Sequence, residues 1–418
     1  IGTRDIEREL AALAAVDAAW SRRRALVDQI EVAPPKKRAK LSVRLDNASA
    51  ELAAAQQRAR SLAWLGHYSF LYSRQGGTGL NANTYRDLTL YYVTLPRDKL
   101  QLWFWMESDH LLTPVLREHY REIEVIAEER RQRIGSTPTG RLDEELRAAF
   151  WGDHPYGWNP LGREADMERL SRQETTAFLA EHYRPERMTA VLVGGIEPRQ
   201  VKTWARRYFG RLPPSPAHSP EPDQVALPDR SAEQRLEATC NCPPQVKILY
   251  PSARFGEPEA DALQLLAAVL NGRTGRLYRS LVVEQGIAFS AWAQQVSWRQ
   301  AGQFSVRAES KGGTDPARLI EAWDGLLRRL AEQPPTADEL TRARNRVAAD
   351  AYRSLKDPGD LMKQLLIYQG LGDWRYINRW TRRMREVDVD ELLRVAATTL
   401  RPETRTLAIY RRQGEVRP

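Results

Sequence analysis

The sequence predicts an α+β chain of two similar α/β-sandwich halves, each an antiparallel sheet covered by helices, with a long helical hairpin inserted near the N-terminus. Three observations carry that expectation. Residues 4–65 repeat apolar side chains at helical spacing, residues from 76 onward switch to strand-like alternation followed by helices, and the same order recurs beyond a Pro-rich stretch. A chain of 418 residues suits two domains of about 200 residues, each large enough to bury its own core. The expected division is a first domain at 1–212, with the hairpin at about 4–74, a linker at 213–230 and a second domain at 231–418.

Ile6, Leu10, Leu13, Val16, Trp20 and Val27 form one stripe on a helix that Pro34-Pro35 must end, because prolines lack the amide donor and clash with the preceding turn. Leu41, Leu45, Ala48, Leu52, Ala55 and Leu62 mark a second helix over 36–65, so the two pair antiparallel, either as a plain structural arm or as a docking or gating element. After Gly76-Gly77, Leu80, Ala82, Leu88, Leu90, Tyr92 and Leu95 alternate with polar residues and read as antiparallel strands. Helices are expected at 100–112, 115–133, 141–150 and 198–208, with a turn-rich segment at 152–162 and a strand at Met188–Val193. Pro213, Pro214, Pro216, Pro220, Pro222 and Pro228 mark the linker. In the second half, strands are expected near 246–250, 289–296, 302–309 and 406–410, and a helix near 260–270.

Composition narrows the function classes. The apolar share of 42% beside 28% charged residues is that of a folded chain. No apolar run approaches the ~20 residues that cross a bilayer, so no membrane span is expected in this chain. Sixty-three Lys and Arg against 54 Asp and Glu give a net charge of +9, yet no nucleic-acid motif accompanies it, and no nucleic-acid partner is expected. Cys240 and Cys242 stand too close along an extended chain for an ordinary disulfide and are too few for a zinc knuckle.

Chemistry is sought in the helix Arg121–Arg130. Glu122 and Glu129 lie seven apart, within ~20° around the axis, while Glu124 and Glu128 point elsewhere. One carboxylate of that pair is able to bind a metal and the other to assist, against the plainer reading of a solvated face.

An ordered series of motifs accompanies that helix. Asn81-Ala82-Asn83-Thr84 precedes a strand ending in Tyr91-Tyr92; then follow Glu122 and Glu129, His154-Pro155-Tyr156-Gly157, Tyr183-Arg184-Pro185, Val193-Gly194-Gly195, Phe209-Gly210, Gly275-Arg276-Leu277-Tyr278 and Gly286-Ile287-Ala288-Phe289-Ser290. The series resembles the insulinase/pitrilysin metallopeptidases from about Gly76 to the end. The resemblance implies a zinc-dependent endopeptidase acting on extended or unfolded peptides, one zinc ion per chain, Glu129 as the third zinc ligand and Glu122 as the supporting catalytic carboxylate. It also implies that Asn81, Ala82 and Thr84 belong to a strand that pairs with the peptide through main-chain hydrogen bonds.

Two departures qualify it. The family's H-x-x-E-H motif is absent, since His67, His110, His119, His154, His182 and His218 show no such spacing. The expectation is that the metal helix lies upstream of Ile1, ahead of Gly2-Thr3, and that 4–74 is an insertion. In the second half, the positions where active relatives carry a substrate-clamping arginine and tyrosine hold Val282 and Phe289, which donate no side-chain hydrogen bond. A second subunit of the same fold, in a homo- or heterodimer, is therefore expected to supply the clamp; the alternative is a catalytically inactive structural or peptide-binding subunit. The expected location is the periplasm or the cell exterior.

Overall fold

An N-cap carboxylate and paired prolines set the ends of the first two helices in the computed structural model, which describes residues 2–214, 225, 227–228 and 230–412. Asp5 accepts the Arg8 N–H at 3.1 Å and opens α1 (Ile6–Val32); Pro35 occupies the first turn of α2 (Pro35–Leu62), where its missing amide costs nothing. The two lie antiparallel, as their patterns predict. Leu13, Val16, Ala19 and Trp20 pack on Leu52, Ala55 and Ala59, while Ile6 and Leu10 stay exposed at the outer edge of the predicted stripe. A bridge between Thr3 and Ala63 closes the base of the hairpin.

The rest of the first half runs α3 (His67–Arg74), β1 (Thr78–Thr84), β2 (Thr89–Thr94), α4 (Leu100–Leu112), α5 (His119–Arg130), α6 (Gly140–Trp151), α7 (Glu164–Met167), α8 (Arg172–His182) and α9 (Pro198–Tyr208). The helix expected over 115–133 is shorter, and its last part is a π-helical segment at Arg131–Gly135. The strand expected at Met188–Val193 does not form: the segment has no strand partner, and this half holds the two-stranded β1–β2 ribbon alone among the described residues. A strand needs a ladder, which periodicity by itself does not provide. Most of the Pro-rich linker lies outside the described residues.

The second half runs β3 (Gln234–Cys240), β4 (Gln245–Ser252), α10 (Pro258–Leu270), α11 (Arg276–Tyr278), β5 (Ala288–Ser297), β6 (Gly302–Ser310), α12 (Pro316–Glu332), α13 (Ala337–Ser354), α14 (Pro358–Leu371), α15 (Tyr376–Glu386), α16 (Val389–Thr399) and β7 (Thr406–Arg412). Its five-stranded sheet has the order β3-β7-β4-β6-β5. The β3–β7 pair is parallel, so the sheet is mixed where a purely antiparallel one was expected. Alternation along β4 sends Val246, Ile248 and Tyr250 into a core shared with α10, α12 and α16, and Lys247 and Leu249 to the opposite face. The two halves are thus unequal within a common α+β plan.

That opposite face is covered by a helix from the first half. Leu142, Leu146, Phe150 and Trp151 of α6 pack on Cys240, Leu249, Ala408 and Tyr410 of the sheet. Asp143 of the same helix accepts from both Lys247 Nζ and the Tyr410 hydroxyl. Burial lowers the Lys247 pKa, and Asp143 opposes that shift. Cys240 and Cys242 form a disulfide, against expectation. The reason is local: β3 ends at Cys240 and the chain bends at Asn241, which brings the two Cα atoms to 5.2 Å, inside the bridging range.

Candidate peptide-binding edge and metal position

The β1–β2 ribbon decides what Asn81, Ala82 and Thr84 are able to do. Gly79, at φ +63°, supplies the left-handed turn at an irregularity between Thr78 and Asn81, after which Asn81 pairs with Tyr92, Ala82 with Tyr91 and Thr84 with Thr89. Tyr85 N–H donates to Leu88 O at 2.8 Å across the turn. Alternation of the antiparallel ladder then leaves Ala82 and Thr84 in non-hydrogen-bonded pairs, with their backbone N–H and C=O groups directed to the outer edge of β1. No other strand covers that edge among the described residues, and Asn81, Ala82 and Thr84 are all exposed. The Ala82 N–H is met by the Asn81 side chain, whose Oδ1 accepts it at 2.8 Å. Asn83, also exposed, accepts the Tyr92 hydroxyl at 2.7 Å.

The ribbon is held to the second half by its turn. Tyr156 donates its hydroxyl to Asp87 Oδ1 and accepts the Gln300 N–H, while Asp87 Oδ2 accepts the Arg299 N–H at 3.1 Å. Arg86 stacks over Trp298 at 4.8 Å and donates to the Tyr156 carbonyl. Burial lowers the Arg86 pKa to about 10 and raises that of Tyr156, so the phenol stays protonated and donates. His154 is 1% exposed, its Nδ1 accepts the Tyr156 N–H at 3.1 Å, and burial lowers its pKa. The sequence reads His154–Gly157 as a turn and Asp87 as the first residue of the strand motif that ends in Tyr91-Tyr92, with no role assigned to Arg86 or Trp298; the charged Arg86-Asp87 pair between two strands is the available signal.

On α5 the acidic residues have different surroundings. Glu122 is exposed in the first turn, and Glu129, with its side chain 37% exposed, pairs with Arg133 Nη2 at 2.9 Å one turn on. Glu128 receives two hydrogen bonds from Arg131 and one from Gln132, and the Arg131 bonds hold its pKa below the usual carboxylate range. Arg130 forks onto both oxygens of Glu144 at 2.7 Å and also reaches the Gly162 carbonyl. The N-terminal end of α5 packs on the hairpin, where Tyr120 stacks on Trp20 at 5.2 Å. No hydrogen bond, ion pair or ring contact joins α5 to β1 among the described residues.

A catalytic zinc needs three protein donors and an open position. No group of three or more His, Cys, Asp or Glu side chains stands in metal-binding array among the described residues. Glu129 with Glu122 therefore does not by itself fit a zinc ion. In the second half, Val282 lies in a π-helical segment at Arg279–Glu284 and packs partly buried on the core, while Phe289 is 69% exposed where β5 slips register between Ala288 and Ser290. Arg276 of the same signature is structural. It forks onto Glu339 and caps the carbonyls of Gln333 at 2.6 Å and Pro334 at 3.0 Å.

Residues 169–347 match the family model described as the peptidase M16 inactive domain. The chain is 24% identical over 341 residues to zinc protease PqqE of Helicobacter pylori, covering 79% of this chain and 76% of that protein. It is 26% identical over 148 residues to the mitochondrial-processing peptidase subunit beta of Saccharomyces cerevisiae, covering 35% of this chain and 31% of that one. The crystal structure of a protease from Helicobacter pylori shares its fold, with a TM-score of 0.77 at 21% identity over 83% of this chain and 84% of the other. Fold, motif order and these matches liken the chain to the peptidase M16 class. The chain is thus similar to the insulinase/pitrilysin metallopeptidases.

Proposed function

We propose that this chain is a peptide-binding subunit of a zinc-dependent endopeptidase assembly, taking up extended or unfolded peptides as an added strand on β1. The open edge at Ala82 and Thr84 is the observation that carries the reading: it offers outward main-chain groups in register and is tied to the second half through Asp87 and Tyr156. Strand addition gives affinity through the backbone with little demand on side chains, which suits unfolded peptides of varied sequence. A second subunit of the same fold would supply the hydrogen-bond donors that Val282 and Phe289 lack, and one relative carries the word subunit in its name. The periplasm or the cell exterior is the location in keeping with this reading.

A second reading, that the chain itself hydrolyses peptides, is favoured by Glu129, which keeps a solvent-reachable carboxylate at the position of the family's third zinc ligand, and by a relative named a zinc protease. Metal analysis of the full-length protein separates the two. One zinc per chain, lost in Glu129→Gln, supports hydrolysis by this chain; no zinc at neutral pH, with unfolded peptide still bound, supports the binding subunit. Failure to bind an unstructured peptide in either metal state sinks the strand-addition reading.

A further inference from the structure

The turn end of the helical hairpin carries charge that no carboxylate among the described residues pairs with. Val32–Leu45 contains Lys36, Lys37, Arg38, Lys40 and Arg44 and no carboxylate. All five cations are exposed and none has a carboxylate partner among the described residues; Arg38 alone makes a hydrogen bond, to the Ala33 carbonyl at 2.9 Å. Elsewhere on the hairpin several ion pairs form. Arg22 pairs with Glu51, Glu9 with Arg117, Asp17 with Arg172 and Arg60 with Glu118. Glu31, the acid nearest the turn, is turned back onto Arg169 at 3.2 Å.

The placement costs local stability. Lys36, Lys40 and Arg44 stand four apart on one face of α2, where like charges repel, and Lys36, Lys37 and Arg38 occupy its first turn, where the helix dipole disfavours cations. Beside them Val43 is 61% exposed and Val32 is 85% exposed. Two apolar side chains among uncompensated cations fit a surface that is anionic at its face and apolar beneath it. A nucleic-acid surface fits less well, because 32–45 holds no aromatic side chain to stack on a base and no Asn or Gln to read one.

We propose that this end of the hairpin docks on an anionic phospholipid surface, with Lys36, Lys40 and Arg44 meeting headgroup phosphates and Val32 and Val43 entering the interface. The docking is peripheral and reversible, since no helix among the described residues is long and apolar enough to cross a membrane. It rests on charge and exposure and is independent of any peptidase activity.

The test is co-sedimentation of the full chain with vesicles of phosphatidylcholine alone and with one third phosphatidylglycerol, in low and high salt. The expected result is binding to the anionic vesicles only, lost in high salt and weakened about tenfold or more by reversing Lys36, Lys40 and Arg44 to Glu. Circular dichroism and a melting temperature no lower than that of the wild type verify that the variant is folded. Replacing Val32 and Val43 by Ser leaves the charges in place and is expected to weaken binding to the same vesicles. Absence of binding to anionic vesicles overturns the proposal. So do binding that survives charge reversal and tighter binding to a random duplex than to vesicles.

Discussion

The Tyr156 hydroxyl donates to Asp87 Oδ1 at 2.5 Å, across a gap of 69 residues, and its own oxygen accepts the Gln300 N–H from the second half. One phenol thus joins the turn of the β1–β2 ribbon, the segment after α6 and the loop between β5 and β6. Tyr156→Phe keeps the ring packing against Trp151 and Trp298 and removes both hydrogen bonds. The expected loss is about 1–3 kcal/mol in urea denaturation, because a carboxylate oxygen and an amide are left without that partner in a half-buried seam. A loss under ~0.5 kcal/mol would show that water replaces the phenol freely.

At the open edge, Ala82→Pro removes the outward N–H that now meets only the Asn81 side chain. Proline is tolerated on the free side of an edge strand, so the melting temperature should move little. Affinity for an unstructured peptide should fall about tenfold, near the value of one to two lost hydrogen bonds. Equal affinities for the wild type and the variant, measured calorimetrically, would move the peptide site elsewhere.

Arg405 is 3% exposed and holds Asp324 and Glu233 at 2.5 Å each while lying beside the Tyr250 hydroxyl. Its carbonyl also accepts the Gln234 N–H where the parallel pair β3–β7 begins. Arg405→Met leaves two partly buried carboxylates facing one another without a cation. The expected cost is about 3–5 kcal/mol in chemical denaturation. The double variant with Asp324→Leu should recover part of it.

Glu339 gives a pH signature. The Arg276 fork, aided by the Thr336 N–H and hydroxyl of the α13 capping box, lowers its pKa to about 2. A carboxylate whose folded-state pKa lies below its unfolded value contributes stability that is full above about pH 4.5 and lost as the pH falls toward 2. Denaturation midpoints across that window should fall steadily in the native chain and more shallowly in Glu339→Gln. Parallel profiles would refute the assignment.

Much of this architecture was legible in the sequence where one element alone sets the pattern. The hairpin, the helices at 100–112 and 198–208, and the strands at 302–309 and 406–410 appear where periodicity and capping put them. What was hidden depends on partners. Met188–Val193 has the composition of a strand and finds no ladder, whereas β3 alternates weakly and is a strand because β7 lies beside it in parallel. The bend at Asn241 that brings the cysteines together is likewise invisible to spacing. At the candidate site, the alternation after Gly76 placed Asn81, Ala82 and Thr84 on a strand, and they lie exposed on β1. For Glu122 and Glu129 the sequence offered helical phase only, and phase does not reveal that Arg133 lies against the second of them.

The packing of α6 across the sheet of the other half bears on how the molecule comes apart. Phe150, Trp151 and Leu146 seal a surface that would otherwise be raw sheet, so neither half has a finished exterior without its neighbour. A protease that cuts within 213–230 severs the chain and leaves two fragments still clasped together. They should migrate as one species until denaturant parts them, and heating should show a single cooperative transition with no intermediate plateau.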